Sequence, residues 1–190
     1  MAAATDTAQR ILDIAERLVQ TRGFNGFSYA DIAEEMKVTK ASLHYHFPAK
    51  ADLGRRLIER YEKNFLAALE AIDAQGVDAR EKLRRYSAIY GDVLGANRMC
   101  LCGMLAAEFG TLPEAMRAEM RHYFDANERW LTGVLKAGKR DKALTFSGPP
   151  ADVAQALIGS LEGAMMIARS YADPKRFRTM SERVLAELGA

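Results

Sequence analysis

Residues 27–53 read FSYADIAEEMKVTKASLHYHFPAKADL, and this stretch decides the fold. Ser28 places a hydroxyl where a first helix begins, able to cap its free N–H groups. Asp31, three residues on, suits the positive end of the helix dipole. Ile32, Ala33 and Met36 recur at helical spacing as a narrow apolar stripe. Lys37 and Val38 form the turn, with Val38 expected beneath it, and Thr39 is a second capping residue. The next helix spans Lys40 to His46, with Leu43 and Phe47 inward at i and i+4. Pro48 disfavours helical geometry at Phe47, so the element stops there. Lys40, Ala41, Ser42, His44 and Tyr45 are left on the outer face. A short helix tipped in this way and held at a tight turn has the shape that enters the major groove of DNA.

A pair of helices this small needs a third to close a core. Residues 6–22 supply it, with Ile11, Ile14, Ala15, Leu18 and Val19 on one face and Gly23 as its C-terminal cap. Phe24 and Phe27 flank Asn25-Gly26 and plug the space beside it. A long helix opens at about Ala51 and runs to about Ala74. Further apolar stripes follow at 78–95, 100–109 and 113–136. Gly148-Pro149-Pro150 and Asp173-Pro174 then delimit two last helices, about 151–171 and 174–188. No strand pattern competes. The expected fold is all-α: a three-helix helix-turn-helix head over residues 1–50, joined by a helix to a helical-bundle body over 51–190 for ligand binding and dimerisation.

Several residues in order carry a family resemblance. They are Arg22-Gly23-Phe24, Phe27-Ser28, Ala30-Asp31-Ile32-Ala33, Val38 through Leu43, Tyr45-His46-Phe47, and Lys50 with Asp52-Leu53. Over its first third the chain resembles the TetR family of bacterial transcriptional repressors. Family members most commonly carry tyrosine where His44 stands, which changes what that position reads and adds a proton-dependent contact. The resemblance implies that Lys40, Ala41, Ser42 and His44 face base edges or neighbouring phosphates, with Thr39 also at the DNA. It implies that Tyr45, His46, Lys50 and Ser28 touch the DNA backbone. Phosphate contacts position such a protein, and base contacts give it sequence preference.

The resemblance also implies a homodimer with a small-molecule inducer, bound to double-stranded operator DNA. On the last two helices, Leu157, Leu161, Ala164, Met165 and Ala168 form one face, and Phe177, Met180, Val184 and Leu188 stripe the other helix. Two helices from each of two chains would make a four-helix interface; the alternative is that both faces bury inside one subunit. Candidates for a pocket taking an apolar or aromatic ligand are Tyr86, Tyr90, Met104, Met120, Tyr123, Phe124, Trp130 and Met165, with Glu108 and Asn127 as polar handles.

Cys100 and Cys102 are the only thiols. Two residues apart on a helix they point in different directions, so a disulfide between them is not expected. Two thiols, even with His122, fall short of a metal site, and no metal or cofactor is expected. The segment Met99–Glu108 resembles a subgroup in which some members sense electrophiles or oxidants through a nearby cysteine. A redox-sensing repressor using Cys100 or Cys102 is therefore an alternative reading, and a helical protein-interaction module is another.

Charge alone would not have pointed to DNA. The chain carries 27 Lys+Arg and 25 Asp+Glu, a formal charge of +2, so its cations must act by placement. The chain lacks a phosphate-cradling glycine loop, a Gly-x-Ser-x-Gly elbow and a His-Glu-x-x-His pair, so no enzyme is expected. No signal-peptide or membrane-span pattern is found, and a cytoplasmic location follows.

Overall fold

The structure, a computed structural model, describes residues 2–189. Among these residues nine α-helices and one 3-10 turn account for the regular structure, with no strand. The helices are α1 (Ala2–Arg22), α2 (Tyr29–Met36), α3 (Lys40–His46), α4 (Lys50–Asp73), α5 (Ala79–Gly95), α6 (Leu101–Ala107), α7 (Glu114–Arg140), α8 (Pro150–Ser170) and α9 (Pro174–Ala186). The 3-10 turn is Phe109–Thr111. The described chain divides into two compact units. One holds the residues up to Lys63 together with Leu101–Tyr123; the other holds Asn64–Cys100 and the residues from Phe124 onward.

The first unit is built around α1, α2, α3 and the start of α4. Ile11, Ala15, Val19, Ile32, Leu43 and Leu53 are fully buried, on the stripes that the helical spacing marks. Arg60 on α4 pairs with Asp13 and Glu16 on α1, each at 2.6 Å. Glu62 on α4 pairs with His122 on α7 at 2.9 Å.

The turn between α2 and α3 closes differently from expectation. Lys37 adopts a left-handed backbone, φ 58°. The Lys37 N–H donates to Glu34 C=O and the Val38 N–H to Ala33 C=O, which is a Schellman closure. That geometry leaves the Val38 side chain 37 % exposed, at the rim of the turn and not beneath it.

The second unit packs α5, α8 and α9 against one another, with the remainders of α4 and α7. Asp78 caps α5 by accepting the Glu81 N–H at 2.9 Å. Helix α5 ends through Asn97 in a left-handed conformation, with Arg98 N–H bonded to Val93 C=O. The helix ends at Gly95, as the stripe over 78–95 predicts.

The stripe expected at a dimer surface lies inside this unit. Leu157, Leu161, Ala164, Met165 and Ala168 are all buried within the single chain, as are Phe177 and Leu188. They cover one another and α5, because an all-helical unit of this size needs its largest apolar faces for its own core. Val184 is half-buried and Met180 is 37 % exposed. The opposite face of α8 remains uncovered: Met166 is 55 % and Ile167 47 % exposed, and Gly159 is exposed beside them. Among the described residues no helix is long and apolar enough to cross a membrane.

Candidate nucleic-acid interface and ligand site

The hairpin of α2 and α3 is fixed by local chemistry at each end. Ser28 donates its N–H to Asp31 Oδ2 at 2.8 Å and its hydroxyl to the same oxygen at 2.8 Å. The Ser28 hydroxyl oxygen accepts the Ala30 N–H at 3.2 Å. These bonds from Ser28 hold the Asp31 carboxyl below its ordinary value. Thr39 caps α3 by accepting the Ser42 N–H at 3.4 Å. Leu43, fully buried, and Phe47 root α3 in the core. The Tyr29 hydroxyl donates to Phe47 C=O at 2.8 Å. Burial, reinforced by the Asp52 charge, pushes this phenol up to about 12.

The outer face of α3 is open. Lys40, Ala41, His44 and Tyr45 are exposed, Tyr45 to 81 %, while Ser42 and His46 are half-buried. The His44 ring lies against Tyr29, centroids 4.8 Å apart, and its Nδ1 sits 3.1 Å from Pro48 C=O. A carbonyl only accepts, so Nδ1 carries the proton and Nε2 is left for an outside partner. Tyr45 and His46 meet edge to face at 5.2 Å.

Two long side chains lock the loop before α2. Lys50 Nζ donates to the carbonyls of Phe24 and Phe27. It also lies over both rings, 4.5 and 4.1 Å from their centroids. Burial draws its pKa down, opposed by the charges of Glu108 and Asp31. Glu108 accepts the Phe24 N–H at 2.6 Å and the Asn25 N–H at 3.2 Å. Gly23 has φ 83°, and a Cβ there would stand 2.8 Å from Glu108 Oε1.

The second unit holds a polar cluster within its apolar interior. The Tyr86 hydroxyl donates to Asn127 Oδ1 at 2.9 Å, the Asn127 amide donates to the Tyr90 hydroxyl at 3.2 Å, and the two hydroxyls meet at 2.9 Å. All three residues are buried. Trp130 stacks on Tyr86 at 5.6 Å, and Phe65 stands edge-on to Tyr86 and Tyr90. Burial pushes both phenols well up, with Glu162 adding to the effect on each. Glu162 itself is raised from its ordinary value to about 7 by burial, with the Cys100 thiol pulling the other way.

Comparison with known proteins fits this geometry. Residues 11–57 match the bacterial regulatory proteins of the tetR family, and residues 79–184 match the tetracyclin repressor-like C-terminal domain. The chain belongs to the TetR family. It is a DNA-binding transcriptional regulator of that family. A TetR-family regulator of Agrobacterium tumefaciens has the same fold, with a TM-score of 0.94 and 31 % identity over 97 % of this chain and 98 % of that one. A TetR regulator of Legionella pneumophila gives 0.85 and 32 % over 94 % and 95 %. The HTH-type transcriptional repressor NemR of Escherichia coli (strain K12) is 28 % identical over 176 residues, 87 % of each chain.

In this TetR-family chain, the residues expected at DNA fall into two sets. Thr39, Lys40, Ala41, His44 and Tyr45 share the exposed surface of the hairpin, with Ser42 and His46 at its edge. Lys50, expected at a phosphate, turns its ammonium inward instead, because two carbonyls and two ring faces lie within its reach. The expected pocket residues also separate. Tyr86, Tyr90, Asn127 and Trp130 form the cluster, and Phe124 and Met165 belong to the same unit. Met104, Met120, Tyr123 and Glu108 belong to the first unit. Tyr123 packs on Tyr61 at 5.7 Å, and Glu108 spends its carboxylate on the Phe24 loop. Glu162 was missed by the sequence reading. Its signal was there: it is the only charged residue between Asp152 and Arg169.

Proposed function

We propose that the chain is a dimeric repressor whose α3 enters the major groove of a near-palindromic operator and which lets go when a small molecule binds in the helical body. The observation that carries this reading is the exposed face of α3, Lys40-Ala41-Ser42 with His44 and Tyr45, on a hairpin held rigid by Leu43, Phe47 and the Tyr29–Phe47 bond. Lys40, Tyr45 and Ser28 take phosphates. Ala41, Ser42 and His44 Nε2 read base edges, alanine against a thymine methyl and the other two by hydrogen bonds. Lys50 acts from within, by fixing the loop that carries Ser28.

The functional division keeps residues 1–50 as the reading head and 51–190 as the body. The uncovered face of α8, with Met166, Ile167 and Gly159, and the exposed Met180 of α9 supply the dimer contact, since twofold pairing is the commonest way such a face is covered. Twofold symmetry then sets the two reading helices about 34–36 Å apart in successive major grooves. Helix α4 runs unbroken from Lys50 to Asp73, so a change in the body that moves α4 changes that spacing. Inducer and operator therefore weaken each other by the same factor. Such a regulator works beside chromosomal DNA, in the cytoplasm, and its role is control rather than catalysis. The cysteine-switch reading is not favoured, because Cys100 and Cys102 are 2 % and 0 % exposed and reactive thiols need access.

The test is a binding series. Duplexes selected from a random pool are titrated by anisotropy at rising salt. Affinity falling steeply with salt and one inverted repeat preferred over random duplex are the expected results. Indifference to sequence and to salt would defeat the reading.

A further inference from the structure

We propose that the interior of the second unit binds a small organic cation, with Glu162 as its counter-charge and the rings of Tyr86, Tyr90 and Trp130 as its walls. This rests on the reading above that the body responds to a ligand, and it names the class of that ligand.

The first observation is a deficit. Both carboxylate oxygens of Glu162 are shielded from solvent and accept no hydrogen bond from nitrogen or oxygen among the described residues; only the weakly donating Cys100 thiol acts on them. An ionised carboxylate in that position is among the most unfavourable groups a core can hold, and an oppositely charged partner is what relieves it. The nearby hydroxyls do not serve. Tyr86 gives its proton to Asn127, so the contact between the two hydroxyls is made by the Tyr90 proton, and Asn127 returns a donor to Tyr90. That triangle consumes both phenolic protons and leaves none for Glu162. No lysine or arginine is hydrogen-bonded to Glu162, Tyr86, Tyr90 or Asn127 among the described residues.

The second observation is the character of the surroundings. Trp130 is stacked on Tyr86, and Phe65 stands edge-on to both tyrosines. Aromatic faces carry negative potential and attract cations, most strongly where water is excluded. An anion would meet ring faces and a buried acid, both of which repel it. A neutral ligand would leave the carboxylate as unsatisfied as before. A protonated amine or quaternary ammonium satisfies both features at once.

The proton balance is simple. When the cation enters, the neutral Glu162 carboxyl ionises, its proton leaves to solvent, and a carboxylate–cation pair remains. Binding therefore tightens as pH rises. The titratable groups that act with Glu162 are Tyr86 and Tyr90 on α5 and Cys100 just before α6. Both phenols are pushed up by burial and stay neutral over this range. Glu162 is held up to about 7, which places the change in the neutral region.

Calorimetry on the full chain tests this with four probes of one shape: benzylamine and benzyltrimethylammonium as cations, benzyl alcohol as neutral, benzoate as anion. At pH 8 the two cations should bind at least about ten-fold more tightly than the other two, and lose about ten-fold on going to pH 5.5. Glu162→Gln, a neutral isostere, should remove both the preference and the pH dependence. Glu162→Asp, which keeps the charge on a shorter stem, should retain part of the preference. Cations binding equally to wild type and Glu162→Gln would overturn the proposal, as would benzoate or benzyl alcohol binding as well as the cations. Operator binding by the wild-type protein is measured in parallel. Intact operator binding with no cation binding overturns the cation site alone, whereas loss of operator binding strikes the repressor reading itself.

Discussion

Glu108 and Phe24 are joined by a 2.6 Å hydrogen bond from the Phe24 N–H to the Glu108 carboxylate, spanning 84 residues of sequence. The Asn25 N–H bonds the other oxygen at 3.2 Å. One acid on the segment between α6 and α7 thus holds the loop that precedes the reading hairpin. Glu108→Ala should cost about 2 kcal/mol, the scale of charge-assisted hydrogen bonds that are partly exposed. Operator affinity should fall about ten-fold, and hydrogen exchange at the amides of Phe24 and Asn25 should accelerate. Gly23→Ala should act on the same bond, since its Cβ would stand 2.8 Å from Glu108 Oε1 on a left-handed backbone. Unchanged exchange at both amides in Glu108→Ala would show that this contact does not order the loop.

Lys50 and Lys40 should separate by salt. Lys50 donates to two carbonyls and covers two rings, so Lys50→Met loses those bonds and should destabilise the head by about 2 kcal/mol. The salt slope of operator binding should stay as it was. Lys40 is exposed on α3, and Lys40→Ala should lower the slope by about one while leaving thermal stability within about 0.5 kcal/mol. A slope lowered in Lys50→Met would return that ammonium to the DNA backbone.

Glu162 should make stability depend on pH. The folded chain raises this carboxyl from 4.5 to about 7, so the native state holds its proton more tightly than the unfolded chain. The resulting stabilisation is complete below pH 4.5 and is lost as pH climbs through about 7. A rise of that size corresponds to on the order of 3 kcal/mol. Glu162→Gln should therefore melt several degrees higher than wild type at pH 8 and close to it at pH 4.5. Parallel melting curves across this range would contradict the burial argument.

Ile167 is 47 % exposed beside Met166 on α8. Ile167→Glu places a charge at the centre of the proposed twofold contact. Light scattering should report a monomer, and operator affinity should fall more than about a hundred-fold, because one head makes only half of the contacts. A variant that remains dimeric would move the interface elsewhere.

The reading hairpin was legible because its signals are local. Ser28 and Asp31 three apart, Thr39 before Lys40, and Pro48 after Phe47 each act on their neighbours, and the helix bounds follow. The role of Lys50 was not legible, since its partners lie 26 and 23 residues away and a lysine after a recognition helix also suits a phosphate. Glu108 and Glu162 show the same limit. Only folding decides that Glu108, in the turn after α6, meets two backbone N–H groups, and that Glu162 on α8 is buried with only the Cys100 thiol acting on its carboxylate. The face of α8 was misassigned for a related reason. A run apolar on nearly every side, from Val153 to Ala168, does not say by periodicity which side another helix of the same chain will cover.

The central claim is that α3 lies in the major groove, twice, by symmetry. Methylation interference on a duplex selected from a random pool tests it most directly, because guanine N7 lies in that groove. The account predicts interference in two clusters about one helical turn apart, related by the duplex dyad, with both clusters weakened together when His44 and Ser42 are changed to alanine. A single cluster, or interference confined to adenine N3 in the minor groove, would contradict it.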